Sequence, residues 1–194
     1  MLQKSFSFKW IAVIIIVLVI LDQLTKYITK TSMYLGQSFT VLGDFFRITY
    51  VENPGMAFGL RLGNPFVFMM LSIVAAGLVF YYLYRLRDQN WLLQLAMAFI
   101  SSGAIGNLTD RFLYGRVVDF LDFEFFDIHI PAFSVLFINF PGYSMTRWPV
   151  FNVADMAVTG GMIIIISYLV FVGDPLKPAE KPAVELRDGS IENT

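Results

Sequence analysis

Five short stretches of this sequence place acidic, amide or basic residues among apolar ones. The stretches are residues 22–26, 52–56, 106–111, 116–123 and 151–155. A carboxylate in or beside hydrocarbon costs at least about 2.5 kcal/mol, so such groups usually face a protein interior and mark a site. Asp22, Asp110 and Asp155 are therefore candidate functional residues.

Two carboxylates held close together in an apolar pocket are able to hydrolyse a peptide bond. They cannot both ionise easily and therefore share a proton, so that one activates a water molecule while the other protonates or polarises the scissile carbonyl. This is aspartic-peptidase chemistry. Asp155 supplies one candidate carboxylate, and the stretch 116–123 offers two partners, Asp119 and Asp122. The residues alone do not choose between these two.

Each candidate also has a structural interpretation. Asp22 and Lys26 are four residues apart, which fits a surface ion pair worth about 0.3 to 0.5 kcal/mol, and we place this interpretation slightly ahead of a chemical role. Asp155 suits the first turn of a helix, where the helix dipole favours a carboxylate. Asp110 and Arg111 end an apolar segment, and we expect them to form a scaffold around a site.

Other kinds of chemistry are poorly supported. The sequence has no cysteine, which excludes thiolate catalysis, disulfides and thiolate metal ligands. Its one histidine, His129, lies in an aromatic loop and is interpreted as structural, since a zinc site needs several nitrogen or sulfur ligands. Ser101 and Ser102 precede Gly103 inside an apolar segment, a pattern typical of close helix packing. A dyad of a serine with Lys26 is less favoured.

Membrane helices must hold these residues in place. Hydrophobic residues make up 57% and charged residues 15% of the 194 residues, whereas soluble proteins have about 25% charged residues. Four apolar segments approach the roughly 20 residues that a helix needs to cross a bilayer. They lie at about residues 8–28, 65–84, 91–109 and 156–173. No small-residue cleavage site follows the first, so we interpret it as a retained helix.

The expected fold is an all-α membrane protein with four transmembrane helices and a small extracytoplasmic β-rich cap at about residues 37–63. A single domain covers residues 1–173 and includes a long extracytoplasmic loop at about 112–150. Basic residues precede the first segment, link the second to the third and follow the fourth, so both termini are expected to be cytoplasmic. The tail, residues 174–194, has the composition of a disordered segment. This topology brings all five polar stretches to one membrane face.

Two other functional classes compete with a peptidase. An ion or proton translocator would also carry acidic residues in its membrane segments, but it would distribute them across the bilayer rather than gather them at one face. A noncatalytic adaptor would use the long aromatic loop to dock a partner. Nucleic-acid binding is not expected, because phosphate contacts need a basic surface and the formal net charge is -1.

Taken together, the five polar stretches resemble the motifs of lipoprotein signal peptidases, also called signal peptidase II, a family of intramembrane aspartic peptidases. The motifs read DQ with a following lysine, ENPGMAF, GNLTDR, VVDF and FNVAD, and the resemblance covers about residues 8–173. It implies a bacterial inner-membrane aspartic endopeptidase without a metal or organic cofactor. Its partners would be membrane lipids and prolipoprotein substrates, which it would cut just before the cysteine that carries diacylglycerol. A monomer is expected.

The resemblance also assigns roles to individual residues. It selects Asp119 and Asp155 as the catalytic pair. Supporting or substrate-binding roles fall to Asp22, Lys26, Asn53, Gly55, Asn107, Asp110, Arg111, Asn152 and Ala154. Among these, Asn53 and Arg111 supply directional donors and are expected to bind the substrate backbone or the carbonyls near the lipid.

The chain departs from the family pattern in one place. There are 35 residues between Asp119 and Asp155, more than the family leads us to expect, and the stretch at about 124–149 looks inserted. This insertion bears on the lid and on access to the site. We expect the lipid chains of a substrate to stay in the bilayer while its peptide enters laterally between helices and crosses the pair at the outer interface.

Overall fold

Helices form the body of the protein in a computed structural model, which describes residues 5, 7–57, 60–61 and 65–173. The helices are α1 (Phe8–Ser32), α2 (Pro65–Arg85), α3 (Trp91–Tyr114) and α4 (Val153–Phe171). Among the described residues, α1, α3 and α4 are long and apolar enough to cross a membrane, and the apolar part of α2 is the shorter stretch Met69–Arg85. The expectation of a helical membrane protein is confirmed for three helices. The tail expected to be disordered lies outside the described residues.

The first helix carries its polar residues inside and its apolar residues outside. Asp22, Lys26 and Thr29 are buried, whereas Ile16 and Val17 are each 56% exposed. This is the reverse of a helix in a soluble protein, and it is the arrangement expected where lipid is the solvent. Because α3 contacts α1, α2 and α4, the buried polar side of α1 meets a neighbour rather than lipid.

The third and fourth helices pack against each other with their backbones in contact. A methyl group on Gly103 would overlap the carbonyl oxygen of Ala154, and one on Gly161 would lie 2.6 Å from the carbonyl oxygen of Ala96. Ser102 donates a hydrogen bond to the backbone of its own helix. The interpretation of this small-residue segment as a site of close helix packing is therefore confirmed.

A small sheet lies at the face where α1 and α3 end and α4 begins. The first five strands are β1 (Ser38–Leu42), β2 (Phe46–Asn53), β3 (Met56–Ala57), β4 (Leu60–Arg61) and β5 (Val117–Phe123). β1, β2 and β5 form one antiparallel sheet in that order, and β3 pairs with β4. The strand region thus includes a strand from the loop after α3, which the sequence did not predict. Its register sets Asp119 opposite Val51.

The chain between β5 and α4 forms one long hairpin. β6 (Ile128–Ile130) pairs with β9 (Tyr143–Met145), and β7 (Phe133–Val135) pairs with β8 (Ile138–Phe140). The β6–β9 pair is separated from the β7–β8 pair by two residues on each side of the hairpin, 131–132 and 141–142. Each of these segments begins with a proline, Pro131 or Pro141, which has no N–H to donate to a strand pair. We call residues 127–146 the arm. It makes up most of the segment that looked inserted.

Candidate active site

Two aspartates from different elements meet at the end of the helix bundle. Asp119 lies on β5 and is only 3% exposed, and Asp155 lies in the first turn of α4. Asn152 joins them: its side-chain Nδ2 donates to Asp119 Oδ1 at 2.6 Å, and its backbone N donates to Asp155 Oδ2 at 3.1 Å. The two carboxylates are therefore held by one fully buried residue.

The start of α4 fixes one of these carboxylates. Asn152 caps the helix by accepting a hydrogen bond from the backbone N of Asp155 at 3.0 Å, and the Asp155 carboxylate accepts the backbone N–H of Asn152 in return. This reciprocal capping box agrees with the helix-terminus interpretation of Asp155. It leaves Asp155 Oδ1 for a second partner, so the structural and chemical interpretations do not exclude each other.

That second partner is Asn107 on α3. Its Nδ2 donates to Asp155 Oδ1 at 2.7 Å, while its Oδ1 accepts from Lys26 Nζ at 2.9 Å and from Asn152 Nδ2 at 3.1 Å. A lysine ammonium only donates hydrogen bonds, so the side-chain oxygen of Asn107 must face Lys26. The side-chain nitrogen of Asn107 then faces Asp155. Lys26 thus orients a donor onto the candidate pair without contacting it.

A buried charge cluster formed by α1 and α3 contacts this network through Lys26. Lys26 is 3% exposed, and its Nζ lies 2.9 Å from Asp22 Oδ2 and 3.2 Å from Asp110 Oδ2. Asp22 Oδ1 also accepts the backbone N–H of Ala154, and Asp110 Oδ2 accepts that of Val118. The interpretation of Asp22 and Lys26 as a surface ion pair is therefore wrong. The polar side of α1 faces α3, where Asp110 adds a third charge. The backbone N–H groups of Ala154 and Val118 donate to the two carboxylates of the cluster.

Gln23 belongs to the same cluster, a role that its residue type alone did not predict. Its Nε2 donates to Asp110 Oδ1 at 3.0 Å, to Gly106 O at 3.2 Å and to Asp22 Oδ2 at 3.1 Å. A methyl group on Gly106 would overlap the Asp22 carboxylate. The sequence signal for Gln23 was its position next to Asp22 within a polar stretch. Gly106, which has no side chain, lets α1 approach α3 closely enough for these hydrogen bonds to form.

Asp122 points away from the pair and holds the arm. It is three residues from Asp119 on one strand, and side chains an odd number of residues apart lie on opposite faces. Arg147 Nε donates to Asp122 Oδ1 at 2.7 Å, and Thr49 Oγ1 donates to Asp122 Oδ2 at 2.6 Å. Arg147 also binds Glu124 at 2.6 Å. Of the two aspartates that the sequence offered as partners, Asp119 is the one that shares Asn152 with Asp155.

Asn53, Gly55 and Arg111 lie around the pair. Asn53 ends β2, accepts the backbone N–H of Gly55 at 2.9 Å and hydrogen-bonds Asp119 through its side chain. Gly55 is buried with φ of +110°, a backbone conformation that favours glycine. Arg111 lies in the last turn of α3, and its charge interacts with both aspartates of the pair. The cap and α3 thus each bring one polar side chain to the site.

The environment of Asp119 favours its protonated form. Burial, and then repulsion by Asp155, raise the pKa of the Asp119 carboxyl from its ordinary 3.8 to about 7. Hydrogen bonds from Asn152 and Asn53 and the positive charge of Lys26 oppose this rise without cancelling it. A carboxyl group with a pKa near neutrality can both donate and accept a proton under physiological conditions.

An apolar groove of about 640 Å³ leads along α4 to Asp155. Its wall includes Phe123 of β5, Phe125 and Trp148 at the base of the arm, and Phe151 just before α4. The ring of Phe123 stacks on those of Phe125 and Phe151, with centroids 5.4 and 5.7 Å apart. The chain that looked inserted therefore supplies part of the wall of the candidate substrate site.

The fold and this site define a class of protein: an integral membrane protein whose helix ends hold a pair of aspartates, Asp119 buried and Asp155 half-buried. The family model described as signal peptidase (SPase) II matches residues 14–171. The chain is 36% identical over 170 residues to the lipoprotein signal peptidase of Pelodictyon phaeoclathratiforme, covering 87% of this chain and 92% of the relative. It is 35% identical over 152 residues to that of Syntrophus aciditrophicus, covering 76% and 83%.

Solved structures of bacterial membrane enzymes, obtained by the in meso method, share the fold. One is 33% identical, covers 93% of this chain and 99% of its own, and superimposes with a TM-score of 0.70. A second is also 33% identical, covers 89% and 99%, and has a TM-score of 0.68. The chain therefore belongs to the signal peptidase II family of bacterial membrane peptidases.

Proposed function

We propose that this protein is an aspartic endopeptidase that removes the signal peptide from diacylglyceryl-modified prolipoproteins, cutting on the amino-terminal side of the lipidated cysteine. The substrate class comes from relatives named lipoprotein signal peptidases. The observation that carries the aspartic mechanism is that Asp119 and Asp155 both accept hydrogen bonds from Asn152. Among the residues that the structure describes, no other group at the site offers a nucleophile or base with comparable support.

The proposed reaction uses both carboxylates and one shared proton. Asp155 accepts two fixed donors, Asn107 Nδ2 and Asn152 N, which stabilise its ionised form as the base. It takes a proton from water as the water oxygen attacks the scissile carbonyl carbon, while Asp119 gives its proton to the carbonyl oxygen. The tetrahedral intermediate then breaks its C–N bond, Asp155 protonates the leaving amine and Asp119 recovers its proton.

The groove supports a substrate that enters from the bilayer. Met156 and Ile163 on its wall are 54% and 59% exposed on α4, so the groove opens on a surface that faces lipid. The apolar part of a lipidated peptide would stay in this groove while the scissile bond lies across the pair. Asn53 and Arg111 would then bind the substrate backbone and the carbonyls near the lipid, because both supply directional N–H donors.

The proposed topology places the site at the outer face of the inner membrane. α2 serves as the fourth span, so both termini lie on one side, which the basic flanks of the spans make the cytoplasmic side. The strand region covers the site from outside. The enzyme acts as a monomer in this proposal, since both carboxylates come from one chain. A proton or ion translocator is less well supported, because Asp22, Asp110, Asp119 and Asp155 all join one network at one end of the bundle.

Cleavage of a diacylglyceryl-modified prolipoprotein by purified protein in detergent tests the proposal. Asp119→Asn and Asp155→Asn should each lower the rate at least about 10³-fold, while Asp122→Asn, the matched control on the same strand, should still cleave. Mass spectrometry of the products would locate the cut. A folded wild type that leaves the lipidated substrate intact, or an Asp119→Asn variant with the wild-type rate, would show the proposal to be wrong.

A further inference from the structure

The tip of the arm is apolar and fully exposed. Leu136 and Phe137, in the turn between β7 and β8, are 91% and 98% exposed. Leu136 also has φ of +54°, a backbone conformation that leucine rarely adopts. Tight turns of hairpins in water usually contain Gly, Asn or Asp, which suit such geometry and are polar or small. The tip therefore has a composition that water does not favour.

The arm carries no formal charge along most of its length. Residues 128–146 contain no Asp, Glu, Lys or Arg. Phe133 and Phe140 pair across the strands with ring centroids 5.0 Å apart, and Phe133 is still 52% exposed. Exposed hairpin edges in water are commonly protected by charged side chains, lysine above all. The lack of such residues indicates a surface that contacts something apolar.

The base of the arm, by contrast, is held by charges. Arg147 bonds to the carboxylates of Asp122 and Glu124 and donates to the backbone oxygen of Asp44 at 2.8 Å. The backbone N of Trp148 donates to Phe123 O at 2.9 Å. The arm is thus amphipathic along its axis, with a polar, fixed base and an apolar, exposed tip.

The bilayer lies within reach of this tip. Val153, the first residue of α4, is five positions after Trp148, so the base lies within about 18 Å of the first turn of a membrane helix. Leu136 is eight positions after Ile128, which extends about 26 Å at roughly 3.3 Å per position in a strand. The length and the absence of charge both favour lipid over a water-soluble partner.

We propose that the arm inserts its tip, residues 133–140, into the interfacial layer of the membrane at the face where the site lies. The occupant of this apolar surface is lipid of the same bilayer that holds α1, α3 and α4. Aromatic and aliphatic side chains enter the headgroup and acyl boundary readily. The backbone groups between β7 and β8 pair with each other, and those on the two outer edges are able to bind headgroups and water in the interfacial layer. This role is independent of the proposed peptidase function.

The sequence contains no cysteine, so a single introduced cysteine accepts a nitroxide label at one chosen position. Phe137→Cys reports on the tip and Leu136→Cys is a second reporter there. Ser144→Cys is the matched control, because Ser144 is exposed on β9 near the base of the same arm. Protein reconstituted in vesicles of phosphatidylethanolamine and phosphatidylglycerol is examined by power-saturation electron paramagnetic resonance with oxygen and with a water-soluble nickel complex.

The expected result is a ratio of oxygen to nickel accessibility that is several-fold higher at the tip than at residue 144, without substrate. Equal ratios would mean that the tip lies in water and would overturn the proposal. Protection that appears only at a high protein-to-lipid ratio would assign the tip to a second copy of the chain. Protection that requires added prolipoprotein would assign it to substrate, and either result also overturns the proposal.

Discussion

Replacing the Asp119 carboxyl by an amide should stabilise the folded protein above neutral pH. The pKa of Asp119 is raised from 3.8 to about 7, first by burial and then by repulsion from Asp155. Below about pH 3 the group is protonated in both the folded and the unfolded state. As the pH rises from there through the folded-state pKa, the unfolded chain gains by ionising before the folded chain does, so stability is lost. The amide of the Asp119→Asn variant has no charge to desolvate, and it retains an oxygen that accepts from Asn152.

The magnitude follows from the size of the shift. About 3 pKa units at about 1.36 kcal/mol each set an upper limit of about 4 kcal/mol above pH 7. At pH 5 only about 1.5 kcal/mol of this is expressed. The gain from Asp119→Asn should therefore grow by about 2 to 3 kcal/mol between pH 5 and pH 8, which corresponds to an increase of about 5 to 10 °C in Tm.

Thermal unfolding in detergent at pH 5 and pH 8 measures this directly. Asp122→Asn is the control on the same strand, and it should have the opposite sign at both pH values, because it removes a carboxylate that binds Arg147 and Thr49; the loss should be about 1 to 3 kcal/mol. An Asp119→Asn protein that melts below wild type at pH 8, or whose gain is the same at both pH values, would refute the reasoning.

Three further substitutions test the supports of the site. Lys26→Met leaves buried carboxylates without their cation and should destabilise the protein by about 3 to 5 kcal/mol, seen as a lower Tm; an unchanged Tm would contradict the buried cluster. Asn152→Ser keeps a good helix cap but removes the amide that donates to Asp119, Asn107 and the Val118 carbonyl. Stability should fall by about 1 to 3 kcal/mol, while cleavage by protein that is still folded should fall at least about 10²-fold; a loss of Tm without this loss of cleavage would indicate a purely structural role. Arg147→Gln should release the base of the arm and speed proteolysis there at little cost to the helices, whereas unchanged proteolysis would contradict its fastening role.

The apolar segments and their polar ends could be predicted from the sequence. Long apolar runs predict membrane helices, which is confirmed for α1, α3 and α4. Hydropathy averages over residues, so it registers a helix even where single positions are polar. The strand pairing of the cap could not be predicted, because β2 and β5 lie far apart in the chain and no local pattern specifies which strands pair. The position of Asp119 opposite Val51 depends on that pairing.

Burial of the charge pair could not be predicted from its spacing. A separation of four residues fits an exposed ion pair and a buried ion pair equally. Asp22 and Lys26 are buried because they pack against α3, whose Asp110 also pairs with Lys26. The same limit applied to the two carboxylates of β5. Alternation along a strand puts Asp119 and Asp122 on opposite faces, but only the positions of Asn152 and Arg147 determine which face is the site.

The order of the cluster along the chain bears on how the protein enters the membrane during synthesis. Asp22 and Lys26 lie on one helix with their charged atoms 2.9 Å apart, so α1 is able to leave the translocon as a neutral pair. α3 follows with Asp110 for the same lysine, and α4 then brings the backbone N–H of Ala154 to Asp22. α3 and α4 thus each bring a partner for a charged group of α1. Assembly of the bundle in the order of translation thus also builds the support on which the aspartate pair rests.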